Sequence, residues 1–193
     1  IVLADEVNRA PAKVQSALLE AMAERQITIG RRSWPLPPLF MVMATQNPIE
    51  HEGTFALPEA QLDRFLMHVS IGYPDADAEQ AILALARAQA RSSLHSPAPV
   101  AHTLTQDQVF AAREAVLDIH MAPALERYLT ERVLASRDAG RYDPKLARWI
   151  AWGASPRATI ALDRCARARA WLSGREYVMP EDVHAIAAEV LRH

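Results

Sequence analysis

A chain of 193 residues with 50% hydrophobic and 23% charged residues can bury a sizeable core, and its composition is that of an ordinary globular protein. Its net charge of -2 argues against a surface built generally for nucleic acid, although nearly all its cationic residues are Arg, which leaves room for local anion sites. One cysteine, Cys165, excludes an internal disulfide and fits a reducing cytoplasm; the seven histidines show no short metal-ligand spacing, and no apolar run approaches the length of a membrane span.

Ile1-Val2-Leu3-Ala4 is an apolar run of the kind that forms a strand buried on both faces, and it stops at two adjacent carboxylates, Asp5 and Glu6. At the carboxyl end of a parallel strand one carboxylate can hold Mg²⁺ while its neighbour orients and deprotonates a water, the Walker B arrangement. A turn or helix cap explains an isolated Asp-Glu pair equally well. The chain begins with Ile, already inside this strand and with no signal-peptide charges before it, so it is expected to be part of a longer protein. From Pro11 onward Val14, Ala17, Leu18, Ala21 and Met22 recur at helical spacing, with Lys13, Gln15, Ser16, Glu20 and Glu24 opposite, which predicts an amphipathic helix on a sheet. Gln26–Ile29 and Trp34–Leu36 predict a hairpin around Gly30 to Ser33. Leu39–Ala44 predicts a second buried strand ending at Thr45-Gln46-Asn47-Pro48, with Asn47 where Asp5 sits on its own strand.

After a loop through Glu52-Gly53-Thr54, a short helix is predicted over Pro58–Arg64 and a third strand over Phe65–Ile71. The rest is helical: Asp75–Arg91, Thr105–Ile119, Ala122–Ala139, a piece near Lys145–Trp152, Ser155–Leu172 and Pro180–Arg192, with a linker at Ser92–His102 that contains Pro97 and Pro99. The boundary between an α/β part and a helical part is set at 74/75. In the helical part Ile82, Leu83, Leu85 and Ala86 form an expected packing stripe, and Trp149 and Trp152 are expected in the core. Cys165, Ala168, Trp171 and Leu172 form another stripe, beside a solvated face that carries Arg164, Arg167 and Arg175. Cys165 is read as a small core residue.

The ordered set L-A-D-E-V-N-R-A-P, L-L-E-A-M-A-E-R-Q-I-T-I-G, A-T-Q-N-P, L-P-E-A-Q-L-D-R-F and G-A-S-P-R-A resembles the MoxR family of AAA+ ATPases over nearly the whole chain. Each piece is weak; five in the family's order and spacing are specific. The resemblance implies an incomplete α/β P-loop NTPase (AAA+) core followed by an all-α lid domain. It also implies ATP and Mg²⁺ as cofactors, a ring, usually hexameric, with shared ATP sites, and chaperone-like action, often with von Willebrand factor A domain partners. Carried over by position, Asp5 holds Mg²⁺ through water, Glu6 activates the attacking water, and Asn47 acts as sensor 1. Arg64 supplies an arginine finger to the next subunit, and Arg157 binds nucleotide phosphate as sensor 2.

Each role has a plain alternative. Asn47-Pro48 makes a turn dipeptide, Arg64 can pair with Asp63 or Glu59, and Arg157 can pair with a neighbouring acid. Ser155 is a good N-cap and Pro156 suits the first helical turn, which puts Arg157 at the positive end of a helix dipole, where an anion is wanted. Asn8 and Arg9 match the family pattern, but a helix cap and an exposed ion pair explain them too. The hairpin matches one that touches substrate in related rings, and Arg31 and Arg32 face either a pore or solvent.

One departure from the family is plain: no G-x-x-x-x-G-K-[ST] occurs among these residues, so the phosphate cradle is expected to lie before Ile1. In the implied strand order the missing strand separates the Asn47 strand from the strand expected over Phe65–Ile71. The competing class is a non-enzymatic, truncated interaction module.

Overall fold

The computed structural model describes residues 1–47, 55, 57–92 and 103–192. The expected loop at Glu52-Gly53-Thr54 and nearly all of the Ser92–His102 linker lie outside the described residues. Contacts gather residues 1–68 with 114–193 into one compact unit and residues 69–113 into another.

In the first unit β1 (Val2–Ala4) runs parallel to β4 (Val42–Ala44), with Val2 opposite Val42, Leu3 opposite Met43 and Ala4 opposite Ala44. Two short apolar runs make this pair as their sequences predict, but they are not buried on both faces: Leu3 is 65% exposed and Met43 54%. A strand is buried only by layers over its faces and neighbours at its edges, and among the described residues this sheet has two strands. The third expected strand does not form, because residues 65–71 join no ladder. Instead His68 N–H donates to Glu189 O at 2.7 Å, and Met67 packs against the helical core.

Between β1 and β4, helix α1 (Ala12–Glu24) begins just after Pro11 and ends at Arg25, whose φ of 51° is left-handed. Its buried residues are Gln15, Leu19 and Ala21, so the face is rotated from the expected one: Val14 is exposed and Gln15 is buried. The reason is polar. Gln15 Nε2 donates to Val7 O, which also accepts the Ala10 N–H, and to Phe55 O, both at 3.2 Å, so its buried amide has partners in two segments outside the helix. β2 (Gln26–Ile29) and β3 (Arg32–Pro35) form the hairpin, joined by Gly30-Arg31 with Gly30 at φ 65°.

α2 (Glu59–Leu62) lies inside the helix expected over Pro58–Arg64 but is only a single turn. The hydrophobic core lies in the helical part, where α5 (Pro123–Arg137) contributes Leu125, Leu129 and Val133. From α7 (Pro156–Leu172) come Ala158, Ala161, Leu162, Cys165, Ala166 and Ala170, and from α8 (Pro180–Leu191) Val183, Ile186 and Val190. The alanine stripe at helical spacing lets α7 approach its neighbours closely. Cys165 is the core residue expected, and burial pushes its thiol up from 9.0 against a lowering by Arg164. The rest of its predicted stripe turns outward: Trp171 is partly exposed and Leu172 exposed.

Two of the three arginines correct the solvated-face expectation, while Arg164 is exposed as expected. Arg167 donates to Asp163 Oδ1 at 2.9 Å and to Ile119 O, while Arg175 grips the buried Asp182. Trp149, on the one-turn helix α6 (Leu146–Trp149), is 78% exposed and Trp152 70%, so neither is in the core.

The second unit holds α3 (Ala76–Ser92) and the start of α4 (Gln106–Asp118), which spans the division. α4 opens on a capping box: Thr105 Oγ1 accepts from Gln108 N at 3.2 Å, and Gln108 Oε1 accepts from Thr105 N at 2.8 Å. The expected stripe on α3 is not packed, since Ile82, Leu83 and Leu85 are each more than half exposed. Among the described residues no helix is long and apolar enough to cross a membrane.

Candidate functional site

The carboxyl edge of the β1–β4 pair is where chain polarity changes. β1 ends at Ala4, Asp5 follows exposed, and Glu6 takes a left-handed conformation at φ 48°, ψ 49° before a single 3-10 turn, Val7–Arg9. A non-glycine residue there costs on the order of 1 kcal/mol or more and must be held by its surroundings. The holding group is Thr45. Because Ala4 is opposite Ala44, the residue across from Asp5 is Thr45, not Asn47, which lies two positions further on. Asn47 therefore does not sit where Asp5 sits. Thr45 Oγ1 donates to Asp5 Oδ1 at 2.5 Å and accepts the Glu6 N–H at 2.9 Å; Thr45 N donates to Ala4 O at 3.0 Å and Thr45 O accepts from Val7 N at 2.9 Å.

Glu6 Oε2 pairs with Arg9 at 3.0 Å, the exposed ion pair that the sequence allowed for Arg9. Asn8 is no cap: its Nδ2 donates to Asn47 O at 3.4 Å, tying the turn after β1 to the turn after β4, and its buried Oδ1 has no partner among the described residues. Asp5 and Glu6 leave β1, and Asn47 leaves β4, at the same carboxyl edge of the pair.

A second group forms at the start of α7. Ser155 is the expected N-cap, its Oγ accepting the Arg157 N–H at 3.0 Å. The same hydroxyl donates to Asp63 Oδ1 at 2.5 Å, and Asp63 Oδ2 lies 3.6 Å from Arg157. With its side chain 52% exposed, Arg157 is loosely held there, and the pair contributes little to stability. Arg64 donates to Leu19 O at 3.3 Å. It lines, with Arg157, Met22 and Ala23, an open cleft of about 170 Å³. Two guanidiniums facing one cleft suit an anion such as a phosphate.

Sequence reasoning missed Thr45 and Asp63 as members of these groups. Thr45 stood in A-T-Q-N-P directly after the apolar run, but only the parallel register reveals that it faces Asp5. Asp63 was considered solely as a partner for Arg64. Among the described residues no three or more His, Cys, Asp or Glu converge to hold a metal by themselves. The donor chemistry at Asp5 suits Mg²⁺ nonetheless: an exposed carboxylate with one oxygen engaged by Thr45 is the kind of hard, single anchor by which Mg²⁺ is held together with its waters and substrate phosphates.

Residues 1–67 match the family described as the ATPase family associated with various cellular activities (AAA), and residues 147–193 match the AAA lid domain. Chaperone MoxR1 of Mycobacterium tuberculosis is 45% identical over all of this chain and 49% of its own length. Protein MoxR of Paracoccus denitrificans is 37% identical over 98% of this chain and 57% of its own. A solved structure from Cytophaga hutchinsonii superposes with a TM-score of 0.87 at 43% identity, over 98% of this chain and 56% of that one. The fold is that of an AAA+ P-loop ATPase with a helical lid. The chain belongs to the MoxR family of AAA+ ATPases, and it spans about half the length of the relatives it matches.

Proposed function

We propose that this chain carries the carboxylates, sensors and finger of a MoxR-type protein that binds and hydrolyses ATP, assembles as a ring, usually hexameric, and acts in a chaperone-like way on partner proteins in the cytoplasm, with von Willebrand factor A domain proteins among the candidates. The observation that carries the reading is the parallel β1–β4 ladder, from whose one carboxyl edge Asp5-Glu6 and Asn47 both leave. The family relationship supports nucleotide and Mg²⁺ use in general terms. In the proposed division of labour residues 1–74 belong to the core and 75–193 to the lid.

Asp5 would hold the ion through water, with the Oδ1 bond to Thr45 fixing its carboxylate. Glu6 would release Arg9, orient a water and accept its proton; Asn47 would help to position that water. Arg157 would leave Asp63 for a phosphate oxygen, and Arg64 would reach a neighbouring subunit's nucleotide. Bound Mg²⁺ would neutralise charge developing on the phosphates. The 193 residues contain no G-x-x-x-x-G-K-[ST], so on their own they are proposed to be inactive.

In the full-length protein Glu6→Gln should keep ATP binding while slowing hydrolysis by on the order of 10²-fold or more, since it removes the base and leaves Asp5. Arg64→Ala should also slow hydrolysis, and rings mixed from the two variants should regain part of it. Mixed rings with no recovery would count against a finger acting between subunits. A second reading, a non-enzymatic interaction module, draws on the exposed Tyr142, Trp149 and Trp152; unchanged hydrolysis in Glu6→Gln would favour it.

A further inference from the structure

We propose that Thr45 is the positioning residue of the metal-binding carboxylate, and that its hydroxyl sets which oxygen of Asp5 is offered to the ion and how Glu6 leaves the strand. The inference rests on the reading of Asp5 and Glu6 as the Mg²⁺ and water-activating carboxylates. It adds a residue to that pair, from the other strand.

The argument is one of hydrogen-bond capacity. A threonine hydroxyl has one proton to give. At Thr45 the oxygen already accepts the Glu6 N–H at 2.9 Å, and the proton goes to Asp5 Oδ1 at 2.5 Å, the length expected of a hydroxyl bonded to a carboxylate. Both partners are thus fixed by one atom. Asp5 Oδ1 is committed, and Oδ2 remains the oxygen without a bond to Thr45. The Glu6 amide is held at the point where the backbone enters the left-handed region, a conformation that a glutamate does not adopt unaided. The main chain of Thr45 reinforces the hold by bridging Ala4 O and Val7 N. A serine can make both hydroxyl bonds; valine and alanine can make neither. The β-branch matters only for staying in extended backbone, which valine keeps.

The test uses the full-length protein with Thr45→Val, Thr45→Ala and Thr45→Ser. At saturating non-hydrolysable ATP analogue, Mn²⁺ affinity is measured by electron paramagnetic resonance, and Mg·ATP hydrolysis is measured alongside. Loss of the charge-assisted hydrogen bond should weaken Mn²⁺ binding by about tenfold in Thr45→Val and lower kcat by a similar factor, with the metal-free nucleotide affinity unchanged and the thermal melt lowered by only a few degrees. Thr45→Ser should bring both readouts back to near the starting values. Thr45→Ala lacks the hydroxyl without adding a methyl pair, and decides the matter if the valine variant fails to fold. Metal affinity in Thr45→Val or Thr45→Ala equal to that of the unsubstituted protein overturns the role of Thr45 alone, as does a serine variant that recovers nothing. An unsubstituted protein that binds neither Mn²⁺ nor nucleotide overturns the proposed function, and the role of Thr45 falls with it.

Discussion

Asp182, at the third position of α8, accepts the Arg175 guanidinium at 2.7 and 2.5 Å and the Met179 N–H at 2.9 Å, with Arg169 at 3.6 Å. Its side chain is almost wholly buried, so this is the polar group in the lid least able to lose its partner. The hydrogen bond from Arg175 holds its carboxyl below the usual 3.8, with burial pulling the other way. A carboxyl whose folded pKa is depressed contributes stability that is complete above its unfolded value; that contribution is lost as pH falls through the lowered one. Asp182→Ala should therefore cost about 2 to 3 kcal/mol in urea denaturation at neutral pH, at and below the lower end of the range for a broken buried pair because Arg175 keeps contact with water. The gap to the unsubstituted protein should narrow below about pH 3.8.

The same pair shows why the arginine face was misread. Arg175 follows Gly174, whose φ of 71° turns the chain back, with Gly174 N bonded to Trp171 O and Arg175 N to Ala170 O. That Schellman turn aims Arg175 at the next helix, and helical periodicity stops where the turn begins.

At the scale of elements, long helices were legible because caps and 3.6-residue periodicity are local. Ser155 capped α7 as expected, and Thr105 capped α4. Among the short elements the strand pair and the hairpin were legible, but the burial of their side chains was not, since it is set by whatever packs on them. α6 is a single turn, and Trp149 points into solvent. Trp149→Ala should leave the thermal melt unchanged within a degree or two, where a buried tryptophan would cost about 3 to 5 kcal/mol. The tight spot nearby is Gly153, where an added Cβ would lie 2.7 Å from Arg137 Cα and 2.8 Å from its Cγ. A helix backbone atom cannot step aside, so Gly153→Ala should destabilise by about 1 to 3 kcal/mol. Gly72, with nothing within 4 Å of such an atom, is the matched control and should tolerate alanine. Register is the other property that a linear reading does not reach. Asp5 and Glu6 stood out by sequence, but that Thr45 and not Asn47 lies across from Asp5 depends on how two runs 40 residues apart align.

For the molecule as a whole, the buried core is unevenly shared. Of the fully buried large side chains, Leu162, Val133, Val183, Val190 and Asp182 all belong to the helical part, while the α/β part buries Val7, Leu19, Ala21 and Leu57. On the β1–β4 pair one face carries Leu3 and Met43, both more than half exposed, and in the run expected as a third strand His68 bonds to Glu189 of α8 instead of to a strand. Unpaired strand edges beside an uncovered apolar face are a template for association, because each offers backbone N–H and C=O groups with no partner in the sheet. The 193-residue polypeptide should accordingly self-associate through its α/β part, with the lid remaining folded. It should bind Mg·ATP very weakly and hydrolyse none, although it carries Asp5, Glu6, Asn47 and Arg157, because in their proposed roles those side chains would address only the metal, the water and one phosphate edge, without a loop to cradle the rest. Light scattering at rising concentration and titration calorimetry with Mg·ATP, on material of confirmed mass, would measure both. A monomer with a micromolar dissociation constant would show that the carboxyl edge and the arginine cleft hold nucleotide without that loop, and the proposed inactivity of the chain alone would have to be withdrawn.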